Sequence, residues 1–308
     1  MTHIDFGQVI TAMVTPFTEE NEVNYAQVEV LVEHLIQTGS DSVIVAGTTG
    51  ESPTLTVTEK LNLFRKVKEI SGDRLKVIAN VGDNNTEHSV AFAQLVEKET
   101  NVDGFLLVNP YYNKPNQKGL YAHFKTIAES TSLPIMLYNI PGRTSVNLEA
   151  NTTISLSKIP NIVAIKESSG NLDQMAAIIS GTPKEFKLYS GDDNLTLPII
   201  SIGGYGVVSV ASHFFGSEIK HMINNLDGAM HRDLLPFFQA LFVDTNPIVA
   251  KYLLFSMGME VGGTRLPLTP ISHVDKVHID ETYRQTKQAI LMRTIRTKDW
   301  MNEIIPQD

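Results

Sequence analysis

The stretch NIVAIKES, residues 161–168, reads as a short buried strand that ends on a lysine. Ile162 to Ile165 is a continuous apolar run with three β-branched members. Such a run suits a strand covered on both faces in a parallel sheet. An ammonium group at the tip of a buried strand is disfavoured by desolvation, which makes a free amine available nearer neutral pH. A free amine attacks a ketone to form a Schiff base. The alternative is a lysine that has already left the strand, its stem on apolar surface and its charge in water. Lys166 alone does not decide between them.

Working outward, seven similar runs recur at residues 9–14, 42–46, 76–81, 104–108, 135–138, 187–190 and 206–210. With residues 162–166 they make eight, each followed by a helix-like segment, and this alternation predicts an α/β fold, a (β/α)8 TIM barrel. A doubly wound sheet is the competitor, but no G-x-G-x-x-G follows the first run. Helix starts are expected at Thr58, ahead of Glu59, and at Asn85/Thr86, ahead of Glu87. The barrel is expected to occupy residues 1–226. Helical periodicity at 231–243, 247–257 and 281–292 makes residues 227–308 a C-terminal helical extension and tail, the tail holding Lys298 and the single tryptophan, Trp300. His273 and His278 beside Asp275 read as a surface loop.

Composition narrows the function classes. The chain has 308 residues, 42% of them hydrophobic, enough for a large core. A net charge of −9 argues against a general nucleic-acid-binding surface. The absence of cysteine excludes disulfides and thiolate metal sites and fits a reducing compartment. No basic segment followed by an apolar core opens the sequence. Residues 194–217 lack charged side chains but carry Pro198, Gly203, Gly204 and Gly206, which suits a helix–turn–strand unit better than a membrane span. The expectation is a cytoplasmic protein without a membrane segment.

In a parallel barrel the residues just past the strand ends gather at one mouth, where active sites form. Gly47-Thr48-Thr49-Gly50 offers consecutive N–H groups and two hydroxyls on a tight turn, suited to a small carboxylate or phosphate, or else a plain strand-to-helix turn. No Lys-Ser/Thr follows it as in a P-loop. Tyr138 ends the fifth strand and could relay protons. Arg143 follows a Pro-Gly turn and has the planar fork that binds carboxylates, although a surface arginine is the plainer reading. Tyr111-Tyr112 lies between Pro110 and Asn113-Lys114-Pro115, a rigid exposed loop suited to a subunit contact. Asp192 and Asp193 follow the seventh strand, but the nine histidines show no zinc-like spacing, and no metal is expected.

GTTGES, NPYYNKP, YNIPGRT, IKESSGN and SGDD, in this order over about residues 5 to 293, together resemble the dihydrodipicolinate synthase/N-acetylneuraminate lyase family of class I aldolases. The resemblance implies pyruvate as one substrate and aspartate 4-semialdehyde as the other, condensed to 4-hydroxy-tetrahydrodipicolinate on the route to diaminopimelate and lysine. It implies Lys166 as the Schiff-base lysine, Tyr138 as acid/base, and Thr48 linking Tyr138 to Tyr112 from the adjacent subunit of a tight dimer. Thr49 would hold the pyruvate carboxylate and Arg143 that of the semialdehyde, with Gly191 and Val208 lining the site. No cofactor is implied, since the imine is the electron sink. A homotetramer of two tight dimers is implied as the assembly.

Arg143 separates the subfamilies, because sialic acid lyases are similar at the threonines, tyrosine and lysine but lack the arginine. A sugar-acid aldolase is the runner-up, and a non-catalytic barrel a third reading. Members inhibited by lysine typically carry an acidic residue near His88 and often histidine at Lys60. With Pro53 and Val57 apolar, a cationic effector lacks its charge partner, although Ser52, Asn84 and Tyr111 are present. Weak or absent lysine inhibition is expected.

Overall fold

The computed structural model describes residues 4–304, excluding the side chains of residue 294 and of residues 296–304. Eight parallel strands close into a barrel in sequence order: β1 (Val9–Ala12), β2 (Ser42–Val45), β3 (Lys76–Asn80), β4 (Gly104–Val108), β5 (Ile135–Asn139), β6 (Ile162–Glu167), β7 (Lys187–Ser190) and β8 (Gly206–Ser209). Each expected strand is found, with ends within two residues. The outer layer is α1 (Tyr25–Gln37), α2 (Val57–Ser71), α3 (Thr86–Glu99), α4 (Gln117–Glu129), α5 (Pro141–Thr144), α6 (Ala150–Leu156), α7 (Leu172–Gly181), α8 (Thr196–Ser201) and α9 (Ser212–Asn225). After these come α10 (Gly228–Ala240), α11 (Ile248–Ser256) and α12 (His273–Ile304). None of the described helices is long and apolar enough to cross a membrane.

Two apolar shells hold the barrel, and strand parity sorts residues between them. Ile10, Ile44, Ile78, Leu106, Met136, Ala164, Tyr189 and Val208 pack on one another inside the sheet. Their alternates, among them Val43, Val45, Phe105, Leu137 and Ile165, belong to the outer shell with the helices. Gly206 permits closure: a Cβ there would sit 2.3 Å from the Gln8 carbonyl oxygen.

Two expectations need correction. The N-cap of α2 is Thr56, not Thr58. Thr56 Oγ1 accepts from the Glu59 N–H while the Glu59 carboxylate accepts from the Thr56 N–H, a reciprocal pair that needs three residues of spacing. The Asn85 cap stands, accepting from the Glu87 and His88 amides. His273, Asp275 and His278 lie in the opening turns of α12 rather than a loop. Ser272 explains this: it accepts from the Asp275 N–H at 3.1 Å and donates to the Asp275 carboxylate at 2.6 Å. The expected tail is also helical as far as Ile304, beyond which it lies outside the described residues.

The segment after the barrel is fastened to the β2 mouth by a buried ion pair. Lys251 Nζ on α11 lies 2.7 Å from the Glu51 carboxylate, both side chains 2% exposed, and also donates to the Gly263 carbonyl at 2.6 Å. Glu51 further accepts from the Arg265 N–H, and the Arg265 guanidinium forks onto Glu59. Burial pushes Lys251 down to about 8, with Glu51 opposing. Removing one partner of such a pair strands a buried charge. Lys251→Met should therefore destabilise the protein by about 3–5 kcal/mol, whereas Glu51→Gln/Lys251→Met loses clearly less than the summed single effects. Unfolding curves of the four proteins check this.

Candidate active site

Parity carries Lys166 to the barrel axis. Ala164 faces the inner shell, so Lys166, two residues on, faces the same way at the mouth. Its register partners are Tyr138 on β5 and Tyr189 on β7. Lys166 is 7% exposed, and its Nζ sits over the Tyr138 ring, 4.1 Å from the centroid. Among the described residues it makes no hydrogen bond or ion pair. Gly191 leaves room for it: a Cβ there would lie 3.0 Å from Lys166 Cε and 1.8 Å from Ser168 Oγ, a buried hydroxyl without a partner.

The turn after β2 forms the opposite wall. Ala46 and Glu51 bracket it with φ of 52° and 57°. Gly50 is packed so closely that a Cβ would meet Ala46 and the Met13 carbonyl at 3.1 Å. Thr15 Oγ1 donates to the Gly50 carbonyl at 2.7 Å. Among the described residues no acceptor takes the N–H of Thr48 or Thr49. Two unused amides on a braced turn suit an anion. Thr49 is 4% exposed, and its Oγ1 accepts from Asn246 Nδ2 at 2.9 Å.

The remaining expected residues divide. Val208 is buried in the inner shell. Arg143 lies exposed on α5, directly after β5. Tyr112 is 89% exposed with φ of 76°, on a loop held by Asn84 donating to the Tyr111 carbonyl and Asn113 donating to the Asn84 carbonyl. Within one chain, no hydrogen bond joins Thr48, Tyr138 and Tyr112.

Carboxylates crowd the ends of β6 and β7. Burial raises Glu167 above the usual carboxylate range, against hydrogen bonds from Asn139, Ser169 and Gln174. Burial pushes Asp192 up to about 6, with Lys166 pulling the other way and Asp193 and Glu167 adding to the rise. Asp193 is raised by burial too, although its Oδ2 accepts from the Val210 and Ala211 amides. No group of three or more His, Asp or Glu among the described residues could hold a metal ion. The sequence reading missed three site neighbours. Glu167 points outward, bonding to Asn139 on β5. Lys251 and Asn246 reach the turn from about 200 residues away. For Glu167, a carboxylate on a buried strand was an available signal; for the other two there was none.

Comparison with known proteins places the sequence and the fold in a family. Residues 5–286 match the sequence model of the Dihydrodipicolinate synthetase family. A 4-hydroxy-tetrahydrodipicolinate synthase 1 of Halalkalibacterium halodurans is 54% identical over 87% of this chain and 93% of its own. The corresponding synthase of Listeria welshimeri is 52% identical over 87% and 94%. Among solved structures, dihydrodipicolinate synthase from Cyanidioschyzon merolae with lysine bound aligns with a TM-score of 0.89 at 49% identity, over 92% of this chain and 98% of that one. The Acinetobacter baumannii enzyme complexed with pyruvate aligns with a TM-score of 0.88 at 33% identity, over 92% and 99%. An inward lysine on the sixth strand, a braced anion turn and relatives at this identity along nearly the whole chain make one conclusion: the chain belongs to the dihydrodipicolinate synthetase family.

Proposed function

We propose that the chain condenses pyruvate with aspartate 4-semialdehyde to 4-hydroxy-tetrahydrodipicolinate, the product for which its relatives are named. One observation carries the chemistry. Two lysines among the described residues are almost fully buried, and they are treated oppositely: Lys251 has a carboxylate and a carbonyl, whereas Lys166 has the face of a phenol ring. An amine at the barrel mouth with no fixed hydrogen-bond acceptor among the described residues is free to turn toward a ketone and attack it.

Lys166 Nζ attacks the pyruvate ketone carbon, and the carbinolamine loses water to an iminium as Tyr138 passes protons. The iminium draws electrons from the methyl carbon, which releases a proton to give the enamine. That carbon attacks the aldehyde of the second substrate. The substrate's own amine then adds to the iminium carbon, closing the ring and releasing Lys166. The free amides of Thr48 and Thr49, with the Thr49 hydroxyl, hold the pyruvate carboxylate. Arg143 holds the carboxylate of the incoming aldehyde, while Gly191 and Val208 line the floor. Tyr112 of the partner subunit completes a proton path through Thr48, for which the exposure of Tyr112 is the support. The barrel, residues 1–226, carries the chemistry. The extension, residues 227–308, braces it within a cytoplasmic homotetramer of tight dimers.

Incubation with pyruvate and borohydride should leave a stable mass adduct on Lys166, absent in Lys166→Ala. Arg143→Ala should keep the adduct and lose condensation by on the order of 100-fold, the effect of removing one partner of a close charge pair with the substrate. An adduct that accepts sugar aldehydes in preference to aspartate semialdehyde would assign the chain to the sugar-acid aldolases instead.

Free lysine should inhibit weakly. A cavity of about 360 Å³ is lined by Lys60, Asp83, His88 and Phe92. Burial lowers Lys60, and Asp83, the lining carboxylate, opposes that by pairing with it electrostatically. A second ammonium entering there meets a cation already facing that carboxylate. Inhibition at lysine concentrations well below millimolar would contradict this.

The raised Asp192 makes a prediction about pH. Its carboxyl holds a proton more tightly folded, at about 6, than unfolded, at 3.8. Its contribution to stability is therefore present at low pH and lost as pH rises through 6. Asp192→Asn should melt at a higher temperature than the unsubstituted protein at pH 8, by up to about 3 kcal/mol of stability. The margin should disappear near pH 4.

A further inference from the structure

We propose that Asn246 is a positioning residue for the keto-acid carboxylate, fixing Thr49 Oγ1 as a hydrogen-bond donor to that carboxylate. The proposal rests on Thr49 as the carboxylate ligand and adds the residue that sets its polarity. A threonine hydroxyl has one proton and two lone pairs, so it either gives or keeps that proton according to what its neighbours offer. Asn246 is 7% exposed and presents an amide N–H to Thr49 Oγ1 at 2.9 Å. An oxygen that already accepts from an amide is left with its proton free to turn toward an anion. Were the amide reversed, Thr49 would donate to Asn246 Oδ1 and offer the substrate only lone pairs, which repel a carboxylate. Hydrogen-bonded chains of this kind also polarise one another, which strengthens the outer bond.

The fold fixes the arrangement from both sides. Two residues after Thr49, Glu51 takes the buried ammonium of Lys251, five residues after Asn246. The two segments are thus tied at two points, one neutral and one ionic. The segment that carries Asn246 cannot lift off the turn without breaking a pair that is 2% exposed on both sides. Its Oδ1 is buried and has no partner among the described residues. An unpaired buried carbonyl is unfavourable. A side chain kept only for packing need not carry one. The link also gives the segment between α10 and α11 a part in substrate binding, although the strand ends supply the reacting groups.

The test uses the full-length enzyme with pyruvate and aspartate semialdehyde, melting temperature being recorded for every variant. Asn246→Ala should raise KM for pyruvate about tenfold, the value of one well-placed hydrogen bond to a charged group, and change kcat less than about twofold. Asn246→Asp preserves the shape but presents an acceptor. Its KM should exceed that of the alanine variant at pH 8 and fall toward the unsubstituted value as the pH is lowered and the new carboxyl regains a proton. A packing role predicts no such pH recovery. Thr49→Val separates the two layers of the argument. If Thr49→Val raises KM and Asn246→Ala does not, Asn246 has no positioning role while Thr49 keeps its own. If Thr49→Val leaves KM unchanged, the Thr49 hydroxyl does not hold the carboxylate, and the proposal fails with it while the backbone amides keep their role. Should Asn246→Asp not fold at pH 8, the KM-against-kcat split in Asn246→Ala decides the question, and an effect confined to kcat overturns the proposal.

Discussion

An ammonium group held at the axis of a closed barrel, with an aromatic face beside it and no fixed acceptor, is the constraint around which the site is organised. Desolvating a cation is costly unless something compensates, and Lys166 has only the ring of Tyr138 at 4.1 Å and the field of nearby carboxylates. A flexible strand end would relieve that cost by turning the side chain outward. β6 cannot do so, because it is paired on both edges, to β5 and to β7. A one-residue slip would put Lys166 among the outer-shell apolar residues and Glu167 inside. The rigidity that keeps the core in register therefore keeps the amine at the mouth.

The surrounding residues read as adjustments to that placement. Gly191 removes a side chain that would collide with the lysine stem. Ala46 and Glu51 accept left-handed backbone at the two ends of a turn whose Thr48 and Thr49 amides have no acceptor among the described residues. Asp192 keeps negative charge near the amine at neutral pH at some loss of stability, a common compromise at reactive sites. Lys251 shows the structural solution to the same problem. Buried still more deeply, it is neutralised by Glu51, bonded to Gly263 and laid over Phe17. Burial alone does not mark a reactive lysine; the treatment of its three donors does.

Much of this was legible along the chain. Strands β4 and β7 fell at their expected limits: the apolar run of β4 lies between Asp103 and Asn109, and Leu188-Tyr189 of β7 lies between Lys187 and Ser190. Caps were readable when the spacing was honoured: Thr56 and Ser272 each sit three residues before an acidic partner, but Thr56 was passed over for Thr58 and Ser272 because the segment after it was read as a loop. The strand-end residues Lys166, Tyr138 and Gly191 were identifiable because barrel geometry converts order along the chain into position at the mouth. Asn246 and Lys251 were not. They follow no strand, and their partners Thr49 and Glu51 lie 197 and 200 residues away.

The amino-acid sequence by itself determined the alternation that makes a barrel and the identity of the groups at its strand ends. Those are local properties, set by side-chain period and by the residues that stop each strand. Only the tertiary structure decided which buried lysine is neutralised and which is left without an acceptor, and which distant amide sets the proton of Thr49. Both outcomes depend on contacts between segments that only the closed barrel and its packed extension bring within hydrogen-bonding distance.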